Sequence, residues 1–250
     1  MNEAKIDGAY SPRGRDIYSF AEEGLIMKHA ITIITLLTAM LIQPTMGETV
    51  QYWYDQANGY YISGDFEKAA ASYDKAIELK PNSTVLWNLK GKALSMLGRY
   101  DAAINCFDKS ISFNSSDLEA MNLKAMVLSE GQKKYSDAIA LFDQMLLINP
   151  LYFDAWNGKG MALGHIGSLA DSLKCFEKAI EIRPMDAVAW NNKGAVLLNM
   201  ERYQDALSCF NKALLIDPSN ENAISNRQNT LQAMNEITTP SVSQSTTTMD

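Results

Sequence analysis

The sequence predicts an all-α solenoid of five helix hairpins closed by a further helix, and three observations carry that prediction. The four tryptophans, Trp53, Trp87, Trp156 and Trp190, are spaced by 34, 69 and 34 residues, so all fall on one register, with Met121 in the missing place. Around each of them apolar residues recur at helical spacing and alternate large with small. In the last copy, Trp190, Gly194 and Leu197 fall at i, i+4 and i+7, and Ala206, Phe210 and Ala213 repeat that spacing beyond a polar break at Glu201-Arg202. The third observation is a recurring proline, Pro81, Pro150, Pro184 and Pro218, which has no N–H and whose ring clashes with the preceding turn, so it ends the second helix before it in four of the five copies. One such hairpin cannot bury its own apolar face, and stacked copies can.

Residues 1–26 show no apolar periodicity and carry Pro12, Gly14 and scattered charges, and are expected to be disordered. Residues 27–47 open on Met27-Lys28-His29, continue through the apolar run 30–42 and end at Gln43-Pro44-Thr45-Met46-Gly47. A basic start, a short apolar stretch and a small residue at the cut site describe a secretory signal, cleaved after Gly47, with an uncut signal anchor as the alternative. A signal belongs at a chain's first Met. Glu22-Glu23-Gly24 are encoded by purine-rich codons just ahead of Met27, as a ribosome-binding sequence would be. Residues 1–26 are therefore expected to be a mis-assigned start, with synthesis beginning at Met27.

The repeats follow. Residues 50–83 carry Trp53, Ala57, Tyr60, Ala69, Tyr73, Ala76 and Pro81; residues 84–117 carry Trp87, Gly91, Leu94, Ala103, Phe107 and Ser110. Residues 118–152 carry Met121, Ala125, Leu128, Ala138, Phe142, Met145 and Pro150, with one extra residue assigned to the turn 131–134. Residues 153–186 carry Trp156, Gly160, Leu163, Ser172, Phe176, Ala179 and Pro184, and residues 187–220 are the copy described above. Residues 221–236 keep the register with Ile224 and Leu231, and their other face, Asn222, Ser225, Asn226, Asn229 and Thr230, is polar and expected to meet water, as an end-capping helix needs. Residues 237–250 are rich in Ser and Thr and are expected to form a flexible tail.

A hairpin of this length with Trp, Gly, Leu or Tyr, Ala, Phe, Ala and Pro in this order resembles the tetratricopeptide repeat, over five consecutive units. Met121 for Trp, Ser172 for Ala and Ser115 for the closing Pro are its departures.

Net charge −7 argues against a general nucleic-acid binder, which needs a basic stripe to collect phosphates. His165 stands without a neighbouring ligand, and is read as a solvent-facing groove residue. Cys106, Cys175 and Cys209 each precede a packing Phe and are read as small buried or half-buried residues, with Cys175 and Cys209, one repeat apart, beyond a disulfide's reach. No phosphate loop, nucleophile elbow or carboxylate pair appears. The chain is expected to be non-catalytic and to need no cofactor or metal.

By the resemblance, the second, fifth, ninth, twelfth and thirteenth residues of each unit line a concave groove that binds peptides or protein segments. The fifth positions are Tyr54, Asn88, Asn122, Asn157 and Asn191. Two readings of this row stand: a ladder of amides that bonds the backbone of an extended peptide, or solvated helix residues with no such duty. Tyr54, Asn58 and Tyr61 add an aromatic end, which could instead cover the open face of the first repeat. The groove does not resemble the basic carboxylate clamp by which some family members hold chaperone C-termini; only Asn58, Asn88 and Lys92 match it. Lys90, Lys124, Lys159 and Lys193 lie about 200° round the helix from the Asn row, with their stems expected along the array and their charges in water. Asn82 and Asn114 sit in Asn-x-Ser/Thr sequons between repeats, as glycosylation sites or as turn residues.

The expected function is a protein–protein interaction scaffold outside the cytoplasmic membrane, which binds a protein or extended peptide in the groove. Signal-bearing arrays of this kind are similar to envelope proteins of prokaryotes, methane-producing archaea included. The alternatives are a partner-recruiting module of a glycosyltransferase or envelope-assembly system, and a cytoplasmic co-chaperone if residues 27–47 are not a signal. Membrane contact is expected only if that segment is retained.

Overall fold

The computed structural model describes residues 49–238. The expected upstream segment, signal and cut site, and the tail beyond residue 238, lie outside the described residues. Within them there are eleven α-helices and no strand: α1 Val50–Ile62, α2 Phe66–Leu79, α3 Thr84–Met96, α4 Tyr100–Phe113, α5 Leu118–Met126, α6 Tyr135–Ile148, α7 Phe153–His165, α8 Leu169–Ile182, α9 Ala187–Asn199, α10 Tyr203–Ile216 and α11 Glu221–Thr238. Ile237 and Thr238, assigned above to the tail, extend α11.

The first helix of several units starts on a side chain that accepts a backbone N–H: Ser83 from Leu86, Asp117 from Ala120 at 3.0 Å, Asp186 from Ala189 at 2.9 Å and Asn220 from Ala223 at 2.9 Å. Each satisfies one N–H that the helix itself leaves without a partner. The proline-bearing loops do a second job. The indole N–H of Trp87, Trp156 and Trp190 donates to the carbonyl of Pro81, Pro150 and Pro184, at 2.7, 2.8 and 2.9 Å. Loop and next helix are thereby clipped together. The two departures Ser115 and Met121 fall at the two ends of this same clip, so the third repeat loses both its proline and its indole donor.

The core is a stack of aromatic rings. Tyr73, Phe107, Phe142, Phe176 and Phe210 are at most 1% exposed, one per hairpin. Facing them, the first helices carry Ala57, Gly91, Ala125, Gly160 and Gly194. A Cβ at Gly194 would stand 2.6 Å from the Phe210 ring, and one at Gly160 2.9 Å from Phe176. Helix backbone and ring are already in contact, and glycine is what permits it.

Each hairpin turns on one residue in the left-handed region. Gly64, Gly98 and Gly167 fill this place in three units, whereas Lys133 (φ 58°) and Glu201 (φ 59°) fill it in the other two. An L-residue is strained there and glycine is not. Glu201→Gly should therefore raise stability by about 0.5–1 kcal/mol and Gly167→Ala should lower it by about 1 kcal/mol, read as opposite shifts of the urea midpoint.

The third repeat differs. Its first helix passes into a π-helical turn, Val127–Gly131, closed by Gln132 N–H to Val127 O at 3.0 Å. The extra residue is absorbed in this widened turn, and not in the connecting turn where the sequence reading put it. Gly131 makes room: a Cβ there would stand 2.8 Å from the Tyr100 ring of the preceding hairpin.

Candidate functional site

Consecutive first helices touch along the array, α3 to α5, α5 to α7, α7 to α9 and α9 to α11, and consecutive second helices scarcely do. The stack therefore bends with the first helices inside, and their outward residues form a groove. Recesses open along it. One lies between α3 and α5 and is lined by Tyr61, Lys92, Met96, Tyr100, Met126 and Glu130 among others. The next, between α5 and α7, gathers Asn122, Met126, Glu130, Asp154, Asn157 and Met161. A further one, between α7 and α9, includes His165, Asn192 and Asn199.

The amide row is not a set of equivalent free groups. Asn88 and Asn191 are only 4% and 7% exposed. Asn191 Oδ1 accepts from Asn226 Nδ2 at 3.0 Å, and Asn157 Oδ1 accepts from Asn192 Nδ2 at 3.2 Å. These are the same bond, one repeat apart, between the fifth residue of one first helix and the sixth of the next. The sixth position is Leu123 after Asn88 and Gly158 after Asn122, so the bond cannot form there. Asn88 turns its Nδ2 toward Asp117 Oδ2 at 3.4 Å and leaves its buried Oδ1 without a donor. Asn122 is half-buried at the mouth of the α5–α7 recess, its Nδ2 3.8 Å from Met126 Sδ, and Asn157 stands in the same relation to Met161. Neither reading of the Asn row, peptide ladder or solvated residue, fits Asn191, which is buried where it bonds α11.

At the first repeat, Tyr54 packs against the core, and Asn58 Oδ1 accepts the Tyr73 hydroxyl proton at 2.6 Å. Tyr61 reaches the α3–α5 recess, so the expected aromatic end is divided between core and groove. Lys92 pairs with Glu119 at 2.9 Å. All three residues that matched a carboxylate clamp, Asn58, Asn88 and Lys92, thus have partners within the array. His165 stacks on Tyr135, centroids 4.8 Å apart. Among the described residues no group of three or more His, Cys, Asp or Glu could hold a metal ion. Asn82 and Asn114 are exposed, with Asn114 Oδ1 accepting from Ser116 N–H at 3.2 Å.

The lysine row behaves differently from its sequence reading. Lys90 meets Asp74 at 2.5 Å, Lys124 meets Asp108 at 2.6 Å, Lys159 meets Asp143 at 2.5 Å and Lys193 meets Glu177 at 3.1 Å. The stems do lie along the array, but the charges are paired. Each pair joins the second helix of one hairpin to the first helix of the next. The lysine side chains are about a fifth exposed, at 19%, 24%, 21% and 21%.

The cysteines are buried and free. Burial, the largest cause, pushes the Cys106 and Cys175 thiols up to about 11 and raises Cys209 as well. They are poor nucleophiles at neutral pH, since only the thiolate attacks. Burial also pushes the Tyr73 hydroxyl up to about 12. An unfolded thiol ionises at about 8.5 and an unfolded tyrosine at about 10. As pH rises through those values the unfolded chain loses protons that the folded chain keeps, which favours unfolding. The urea midpoint should fall from pH 8.5 toward pH 11, and replacing all three cysteines with alanine should flatten the first part of that fall.

These features define the class of the molecule, a helical repeat solenoid with a groove on its first-helix side. Family profiles described as tetratricopeptide repeat match residues 50–83, 72–105, 124–184 and 187–220. The chain belongs to the tetratricopeptide repeat family. Among curated relatives it is similar to the uncharacterized protein MJ0572 of Methanocaldococcus jannaschii, 39% identical over 62 residues, which is 25% of this chain and 72% of that one. It also resembles TPR repeat-containing protein MJ1428 of the same organism, 29% identical over 75 residues, 30% of this chain and 13% of that one. A tetratricopeptide repeat and J domain-containing co-chaperone of Cryptococcus neoformans is 24% identical over 106 residues, 42% of this chain and 20% of its own length. Apart from MJ0572, then, the chain spans a fifth or less of these relatives.

Solved structures share the fold. YrrB, described as a TPR protein with an unusual peptide-binding site, superposes with a TM-score of 0.55 at 23% identity, covering 73% of this chain and 94% of its own. MamA of Desulfovibrio magneticus RS-1 gives 0.60 at 20%, covering 71% and 99%. TTC0263, a thermophilic TPR protein of Thermus thermophilus, gives 0.61 at 14%, covering 73% and 99%.

Proposed function

We propose that this chain is a non-catalytic interaction scaffold whose groove holds an extended segment of a partner protein, outside the cytoplasmic membrane. The observation that carries the reading is the run of joined recesses between α3, α5 and α7. Three methionines lie along it, Met96, Met126 and Met161, 58%, 42% and 36% exposed, with the Asn122 and Asn157 amides beside them. Flexible thioethers adapt to varied apolar side chains, and amides can bond a peptide backbone whatever its sequence. That a solved neighbour is described as having a peptide-binding site supports the reading. The engaged state of Asn58, Asn88 and Lys92 tells against a co-chaperone of the carboxylate-clamp kind.

Capture of partners from the native host should be lost in the double variant Asn122→Ala, Asn157→Ala and retained in Lys174→Ala, on the second-helix side. Retention of every partner by the double variant would exclude this groove. The proposed location rests on residues 27–47; fractionation with N-terminal sequencing should find the mature chain beginning at Glu48 and outside the cytoplasm. A cytoplasmic chain that begins at Met1 would contradict it. With export, glycans on Asn82 and Asn114 follow as a proposal, and an intact mass equal to the bare chain would rule them out.

A further inference from the structure

Four charged side chains stand on groove positions: Lys92, Glu119, Glu130 and Asp154. Lys92 and Glu119 neutralise one another at 2.9 Å. Asp154 has a distant partner, Arg183, at 4.0 Å. Glu130 is exposed and makes no ion pair among the described residues. The uncompensated charge of the groove is therefore negative, and it sits where Glu130 and Asp154 face the same recess between α5 and α7. Glu130 also lines the neighbouring α3–α5 recess, so it stands at the junction of the two.

The position of Glu130 has a structural cause. It belongs to the π turn Val127–Gly131, the feature that makes the third repeat one residue longer than the others. The corresponding thirteenth residues elsewhere are Ile62, Met96, His165 and Asn199, none of them acidic. A widened turn interrupts the regular helix and re-aims the residues within it, and such turns are frequent at functional sites. On either side of Glu130 lie the exposed Met96, Met126 and Met161. Asn157 accepts from Asn192 on its Oδ1 and keeps only its Nδ2 toward the recess, and in the next repeat Asn191 is buried against Asn226. The part of the groove with unspent polar and apolar groups is thus the second to fourth repeats.

Resting on the groove reading above, we infer that the bound segment is an extended peptide with a lysine or arginine opposite Glu130 and large apolar residues on either side of it. The basic side chain takes the groove carboxylate that lacks a partner among the described residues, and the apolar neighbours occupy the methionine-lined recesses. Glu130 then sets specificity more than affinity, because a groove with excess negative charge repels an acidic segment more strongly than one exposed ion pair attracts a basic one.

The test is a selection of random decapeptides displayed on phage, run in parallel on the full chain and on its Glu130→Lys and Glu130→Gln variants. Peptides from the wild type should carry Lys or Arg at a fixed offset from Leu, Met or Phe. Synthesised singly, they should bind about tenfold more tightly than versions with Glu at the basic position. That ratio should shrink with Glu130→Gln and rising salt, and Glu130→Lys should select acidic peptides instead. Circular dichroism of the two variants should match the wild type, since the Glu130 side chain is exposed. Selected peptides without charge bias, or with one that Glu130→Lys leaves unchanged, would overturn this inference and leave the groove reading standing. Peptides that still bind the Asn122→Ala, Asn157→Ala variant undiminished would overturn both, and an empty selection counts against both.

Discussion

Phe176→Ala should lower the stability of the array by about 3–5 kcal/mol. The ring is 1% exposed and lies against the backbone of Gly160, where even a Cβ would come within 2.9 Å. Two helices held at that distance by one ring cannot close over the gap without moving the hairpins on both sides. The Ser172 hydroxyl, bonded to Gly160 O at 2.6 Å in the same buried layer, also resists collapse. The converse change, Gly160→Leu, adds atoms where the ring already is, and overpacking of that kind costs about 1–3 kcal/mol. The double variant should be more stable than the sum of the two losses by at least about 1 kcal/mol, because the new leucine enters the space the ring left. Urea unfolding of the four proteins, followed by circular dichroism, measures this. A loss below about 1 kcal/mol for Phe176→Ala, or strict additivity, would show that ring and backbone are not the contact that holds the hairpin.

Termination after Asn220 should have a comparable effect, confined to one end. α11 covers the apolar face of the fifth hairpin: Ala223 packs with Ala187 and Ala213, against which Trp190, Leu214 and Ile216 also lie. Asn226 and Thr230, which the sequence places on the water-facing side, turn into the array instead: Thr230 is fully buried and its hydroxyl donates to Asn226 O, while Asn226 bonds Asn191. Each large apolar side chain returned to water forfeits about 1.5–3 kcal/mol, so the end repeat loses several kcal/mol. In a stack where each repeat touches only its neighbours, the loss should not travel far. Hydrogen exchange should show α9 and α10 losing protection while α1 to α4 keep theirs. Uniform loss along the chain would mean that the array unfolds as one cooperative block, and no loss would mean that α11 is not a cap.

The two experiments probe what could be read directly from the chain. Trp, Gly or Ala, and Phe recur at a fixed period, and their partners lie within the same or the adjacent unit. The contacts that hold a hairpin together are local, so the spacing that creates a helix face also names what that face meets. The aromatic stack from Tyr73 to Phe210, the small residues opposite it and the burial of Cys106, Cys175 and Cys209 all follow from the repeat. The lysine stems, too, lie along the array as their register position predicts.

The groove was legible only in outline, because side-chain direction there depends on what the next repeat offers. Asn122 and Asn191 occupy the same register position. One opens on a recess because Gly158 follows it in space, and the other is closed because Asn226 does. A partner one period along the chain does not enter the periodicity of a single unit. The lysines illustrate the same limit, since Asp74, Asp108, Asp143 and Glu177 become their partners only when hairpins stack. The π turn is the sharpest case: the extra residue could be counted, but that it widened a helix and did not lengthen a loop, with Gly131 fitted against Tyr100 of the preceding hairpin, appears only in the stacked array. Sequence by itself determined the hairpin, its copies and its core, since these rest on short-range packing repeated in register. Tertiary structure decided which amides and charges are spent inside the stack and which, with Glu130 foremost, remain for a partner, since that turns on contacts between one hairpin and the next, whose residue types vary from repeat to repeat.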